Sequence, residues 1–259
     1  MGRDNHPRDR QRAKIERKQG HRAPERRFLI VCEGSKTEIQ YLEEIRIALR
    51  LSSAHLHVTH EGVTEPRQIV EAAWKVFHDG KMGFRKKAAD VVVAVFDRDE
   101  HRTYSEALEL AREYDRRGQK NDEKLPVRFL AVPSNSCFEF WLLLHWKDVQ
   151  APVHRHDAFK QVRQYLSDYE KGSQGVFANT FNRMPEAMRR ACRLEQRFNA
   201  LDGPYTSMHS LLQVLLDPEV KLPDPGQILQ GNQERIPHLD ERMAEMAKIL
   251  GSSKGWHGN

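Results

Sequence analysis

The chain has 259 residues, 31% of them charged and 39% hydrophobic, with a formal net charge of +5. That length suits one large domain or one domain with a helical annex, and the apolar fraction is enough for a packed core. No apolar run approaches membrane-spanning length, and the three cysteines (Cys32, Cys137 and Cys192) include no CxxC pair, which argues against a membrane span, a disulfide framework and a cysteine zinc site. The chain therefore reads as cytoplasmic. Its pI of about 9.1 favours a polyanionic partner.

Residues 1–26 hold much of the excess positive charge and almost no apolar side chains. They are expected to form a disordered basic tail, one that would also strengthen nucleic-acid binding without specificity. The first predicted strand spans 28–32. A helix over 35–50 follows, with Ile39, Leu42, Ile45, Ile47 and Leu49 as apolar positions, and Ser35 with Glu38 reads as a capping box at its start. Residues 55–59 form a weaker strand suited to a sheet edge, and 65–78 an amphipathic helix. The strongest strand is 90–96, apolar on both faces as in the middle of a parallel sheet. A helix over 104–117 ends at Gly118, a fourth strand covers 127–132, and an apolar helix covers 138–146.

Alternating strands and helices predict an α/β core over 27–147, a parallel four-stranded sheet flanked by helices. Helical patterns then recur at 156–170, 185–200, 206–217 and 237–250. They predict a C-terminal helical extension over 148–250 packed on the core, with a frayed tail at 251–259.

In parallel sheets the functional groups collect at the carboxyl ends of strands. The first strand runs out as FLIVCEGSKTE and the third as VVVAVFDRDEH, which puts Glu33, Asp97 and Asp99 at that edge. Residues two apart on a strand face one side, so Asp97 and Asp99 can face one ion while Arg98 points away. Carboxylates are the ligands hard divalent cations prefer, and a cation explains several acids in one crevice. Gly34 allows a sharp turn and leaves room for a phosphate at the helix start, with Ser35 and Lys36 beside it. Glu38 is either a further ligand or only a helix cap. Glu100 reads as a turn residue and His101 as loop support.

Asn135 follows the fourth strand and either contacts a phosphate or carboxylate or caps the next helix. Glu139 lies within the apolar FEFW, where a charge must be near solvent, paired or a ligand. His145 reads as a core or helix-end histidine. Tyr169, Lys171 and Tyr205 either line a substrate groove or belong to helix ends and turns.

EGSKTE after the first strand and DRDEH after the third resemble a Toprim domain, the metal-binding catalytic domain of topoisomerases, primases and OLD-family nucleases. PSNSCFEFWLLLHW at 133–146, YEKG at 169–172 and PYTSMHSLLQVL at 204–215 resemble the RloB family, also called AbiLii-like, so the likeness covers about residues 26–217. It implies a nuclease of bacterial anti-phage defence and abortive infection, acting on RNA (including tRNA) or DNA. It further implies one or two magnesium or manganese ions on Asp97 and Asp99, with Glu33 as general acid/base or metal-proximal acid, and an ATPase partner encoded nearby. Self-association is left open. OLD-type domains carry EGxTE, and EGSKTE has one residue more, so Glu38 departs from that pattern.

Two other function classes compete. FDRD superficially resembles the aspartyl nucleophile of haloacid-dehalogenase-like phosphatases, but those place it after the first strand. A non-catalytic or partner-activated adaptor is the other, and the joint presence of Glu33, Asp97 and Asp99 weighs against it.

Overall fold

A computed structural model of the chain describes residues 26–98, 101–201, 203–217, 219–227 and 239–252. The expected basic tail (apart from Arg26), most of the terminal tail, Asp99 and Glu100 lie outside the described residues.

The four predicted strands are β1 (Phe28–Cys32), β2 (Leu56–His60), β3 (Val91–Asp97) and β4 (Arg128–Asn135). They pair in parallel in the order β2-β1-β3-β4, so β2 is at an edge and β3 is interior, as expected. The sheet has a fifth strand that the sequence reading missed. Tyr205–Thr206 (β5) pairs antiparallel with the end of β4, placing Thr206 opposite Ser134 and Tyr205 opposite Asn135. Two residues carry too little periodicity to register as a strand.

Alternation along the buried strands sends their side chains to two separate cores. Leu29, Val31, Val92, Ala94 and Phe96 pack under α2 (Pro66–Asp79) and α3 (Tyr104–Arg116). Ile69, Val70, Ala73, Val76 and Phe77 supply the inward stripe of α2, with the three- and four-residue spacing an amphipathic helix requires. Phe28, Ile30, Cys32, Val91, Val93 and Val95 face the other way, toward α1 (Thr37–Ala48) and α4 (Phe138–Leu143). Within α1 the buried stripe is Tyr41, Leu42, Ile45 and Ala48, while Ile47, expected inside, is 42% exposed.

The later helices are α5 (Arg155–Tyr165), α6 (Val176–Thr180), α7 (Met184–Arg197), α8 (Met208–Leu216) and α9 (Leu239–Ser252), with a 3-10 turn at Phe181–Arg183. All nine residues of α8 are buried, so this helix is interior on every side. Val162, Phe177, Leu194, Leu212 and Met246 belong to the same apolar cluster as Phe28 and Val93, so sheet and helical extension share one core.

Candidate active site

β1 and β3 are neighbours in register, Cys32 opposite Val95, and so bring Glu33 and Asp97 to one carboxyl edge. The Glu33 amide continues the ladder to the Val95 carbonyl at 2.9 Å. Its carboxylate then accepts the Asp97 N–H at 2.8 Å, which ties the two strand ends together. Asp97 is 8% exposed. Arg98 goes to the opposite side, as alternation requires, donating to the Leu201 carbonyl at 2.6 Å and lying over the Tyr104 ring.

Two further acids join from helices. Glu38 is in the first turn of α1 and Glu139 in the first turn of α4, at 8% and 3% exposure. The expected capping box does not form. Ser35 is exposed, the N-cap position is Lys36, and no side chain caps the helix. The Glu38 carboxylate folds back over Gly34 instead, where an added Cβ would collide with it. Gly34 is thus required by a close approach, and the space above it is filled by a carboxylate.

Burial pushes the Glu38 carboxyl up to about 7, with Glu139 and Glu33 adding to the shift and its own amide and Lys171 opposing it. Burial also raises the Cys137 thiol, helped by Glu139 and Asp97, and the Cys32 thiol, helped by Glu38. Glu33, Glu38, Asp97 and Glu139 therefore sense one another as a single acidic cluster. Tyr169 anchors one member, its hydroxyl donating to Glu139 at 3.1 Å.

The donors are all carboxylate oxygens, the type hard cations take, and magnesium commonly uses one or two carboxylates with water. Among the described residues, no three histidine, cysteine, aspartate or glutamate side chains are arranged to hold a metal ion. The cluster fits such a cation by donor type and charge, without forming a closed cage.

One loop supplies the positive side. Lys171 is exposed and acts on Glu38. Next to it, Gly172 adopts a φ of +89°, lies against the Lys36 stem and donates its N–H to Thr37 Oγ1 at 3.0 Å. The loop thus rests on the start of α1 and brings Lys171 to the acids.

A family model described as RloB-like protein matches residues 28–215, most of the chain. The chain belongs to the RloB-like family. No curated protein and no solved structure matches it. The matched span runs from β1 into α8 and so contains every acid of the cluster as well as Lys171.

Other candidates fall elsewhere in this RloB-like protein. The Asn135 amide donates to the Gly203 carbonyl, and Ser134 hydrogen-bonds Thr206 at 3.0 Å, so both help to hold β5. Asn135 does not cap α4, whose N-cap is Cys137. His145 is fully buried against the Trp141 and Leu142 carbonyls, and burial lowers it to about 4, as befits a core histidine. Tyr205 is buried with its hydroxyl on Glu195 at 2.9 Å. His101 forms a turn, its amide donating to the Arg98 carbonyl at 3.2 Å. Among the described residues no helix is long and apolar enough to cross a membrane.

The sequence reading missed Thr37 as the loop's anchor, Tyr169 as the donor to Glu139, and Glu44. The Glu44 carboxylate is 3% exposed and accepts the amides of Gly175, Phe177 and Ala178 at 2.6, 2.8 and 3.2 Å, capping α6 from α1. The only local signal was the position of Glu44 between the buried Tyr41 and Ala48.

Proposed function

We propose that the acidic edge hydrolyses phosphodiester bonds of RNA or DNA with the help of magnesium or manganese. The observation that carries this reading is the meeting of Glu33, Asp97, Glu38 and Glu139 at the carboxyl end of a parallel sheet, with Lys171 beside them. Asp97 and Glu33 would hold the cation, joined by Asp99 two positions beyond and by Glu139. When bound, such an ion activates water and stabilises the leaving oxygen. Glu38 titrates near neutrality and can therefore accept or return a proton at working pH. Lys171, Lys36 and the neighbouring Ser35 offer the phosphate its positive and hydrogen-bonding partners. Gly34 keeps the Glu38 carboxyl in place. The role in bacterial defence and the ATPase partner draw their support from the family.

A second reading is a non-catalytic or partner-activated adaptor, in which the same acids serve folding or binding and not cleavage.

End-labelled tRNA, single-stranded RNA and duplex DNA, incubated with magnesium, manganese or EDTA, separate the two. Metal-dependent cleavage that Asp97→Asn abolishes is the expected result and names the substrate. No cleavage, with magnesium still raising the Tm of the wild type but not of Asp97→Asn, would leave the metal site standing and favour the adaptor. No cleavage and no metal effect would overturn both the nuclease and its metal.

A further inference from the structure

A second cleft, of about 400 Å³, has Tyr169 and Ser173 in its lining, the residues two positions before and after Lys171. That volume is within the range of roughly 300–1,000 Å³ that small ligands occupy. Trp146 and Tyr165 line it as a parallel pair, with ring centroids 5.1 Å apart and planes 5° apart, and Tyr165 is 42% exposed. The rest of the lining includes the polar Asp168, Gln174 and Asn179. Tyr169 belongs to both sites, since it lines the cleft and its hydroxyl donates to Glu139 of the acidic cluster. Asp168 is the one charged residue of the lining. Lys147, next to Trp146 in the chain, donates to Gln161 at 2.9 Å.

We propose that this cleft is a subsite for an unpaired nucleobase of the strand whose phosphate reaches the acidic cluster. The inference deepens the nuclease reading and rests on it for the class of ligand. The chemistry of the walls selects the occupant. A flat aromatic pair with an exposed face stacks on any base, whereas a duplex keeps its bases inside and offers no face to stack. The Asp168 carboxylate and the Gln174 and Asn179 amides offer acceptors and donors for a base edge. Lys171 lies in the chain between the lining residues Tyr169 and Ser173, so a base on Tyr165 and a phosphate at Lys171 can belong to one strand.

The test measures binding apart from cleavage. Asp97→Asn serves as the background, so that magnesium can be present without turnover. Labelled 12-nucleotide RNA and DNA single strands and the matching duplex are titrated by fluorescence anisotropy. Adding Tyr165→Ala is expected to weaken single-strand binding roughly 5- to 150-fold, the loss that removal of a stacking ring produces, and to leave duplex binding unchanged. Tyr165→Phe keeps a ring and should bind as the parent does. The RNA and DNA arms tell which strand the cleft takes. Equal binding by the parent and Tyr165→Ala, or no single-strand binding at all, overturns the subsite. Stacking-dependent binding in this assay, with no cleavage by the wild type, would overturn the nuclease reading and leave the subsite standing.

Discussion

Glu38 shows how burial and neighbours decide the work of one carboxyl. In an exposed first turn it would cap the helix; here, at 8% exposure beside Glu139 and Glu33, it titrates near 7. A folded-state value above the ordinary 4.5 means that folding favours the protonated form. The stability this supplies is complete below about pH 4.5 and is lost as pH rises through about 7. Thermal melts should therefore show the wild type losing more stability between pH 5 and pH 8 than Glu38→Gln, whose amide does not titrate. Equal losses would mean that Glu38 is already ionised at pH 5. Magnesium should recover part of the wild-type loss at pH 8, by offsetting the repulsion among the acids. Glu33 and Asp97 were legible in the sequence because each ends an apolar run that reads as a buried parallel strand; the pairing of β1 with β3 that brings them together comes from the structure. Glu139 was half legible: a charge inside FEFW had to have a partner, but nothing local pointed to Tyr169, which lies 30 residues away.

At the scale of elements, long buried strands and amphipathic helices announced themselves, and short elements held by remote partners did not. β3 has seven buried residues in a row, and α2 an uninterrupted apolar stripe. β5 has two residues and α6 five, too few for either period to show. The start of α6 depends on Glu44, which lies about two turns into α1. Glu44→Ala leaves the amides of Gly175, Phe177 and Ala178 without that acceptor and should cost about 1–3 kcal/mol in urea unfolding. Glu44→Gln keeps an oxygen and should lose less. The capping-box pattern at Ser35 misled for a related reason. A side chain that pairs with its neighbour in an isolated helix turns to a stronger site once tertiary structure supplies one, and Glu38 turns back over Gly34.

For the molecule as a whole, the sequence suggested a sheet domain followed by a helical annex, and the segment after Trp146 is mostly helical but returns one short strand, β5, to the sheet. Trp146 does not mark a break in packing. Phe28 and Val93 of the sheet share an apolar cluster with Leu212 of α8 and Met246 of α9. The two parts should therefore unfold in one transition, with circular dichroism and tryptophan fluorescence giving the same midpoint. Leu212→Ala, at a fully buried position in α8, should lower stability by roughly 2–5 kcal/mol and move both signals together. Separate midpoints would show that annex and sheet are independent units.

The pairing of β4 with β5 also has a consequence in time. Ser134 and Thr206 meet across 72 residues of chain, and α8, which fills the centre of the shared core, follows directly after β5. While the protein is being made, β1 to β4 emerge from the ribosome well before the segment that completes their outer edge and covers their apolar face. Closing so long a loop is slow, and the waiting intermediate exposes unpaired strand and oily surface to its neighbours. The sheet is then expected to stay incomplete until residues 205–216 arrive, and until that moment it is the part of the molecule that chaperones must shelter.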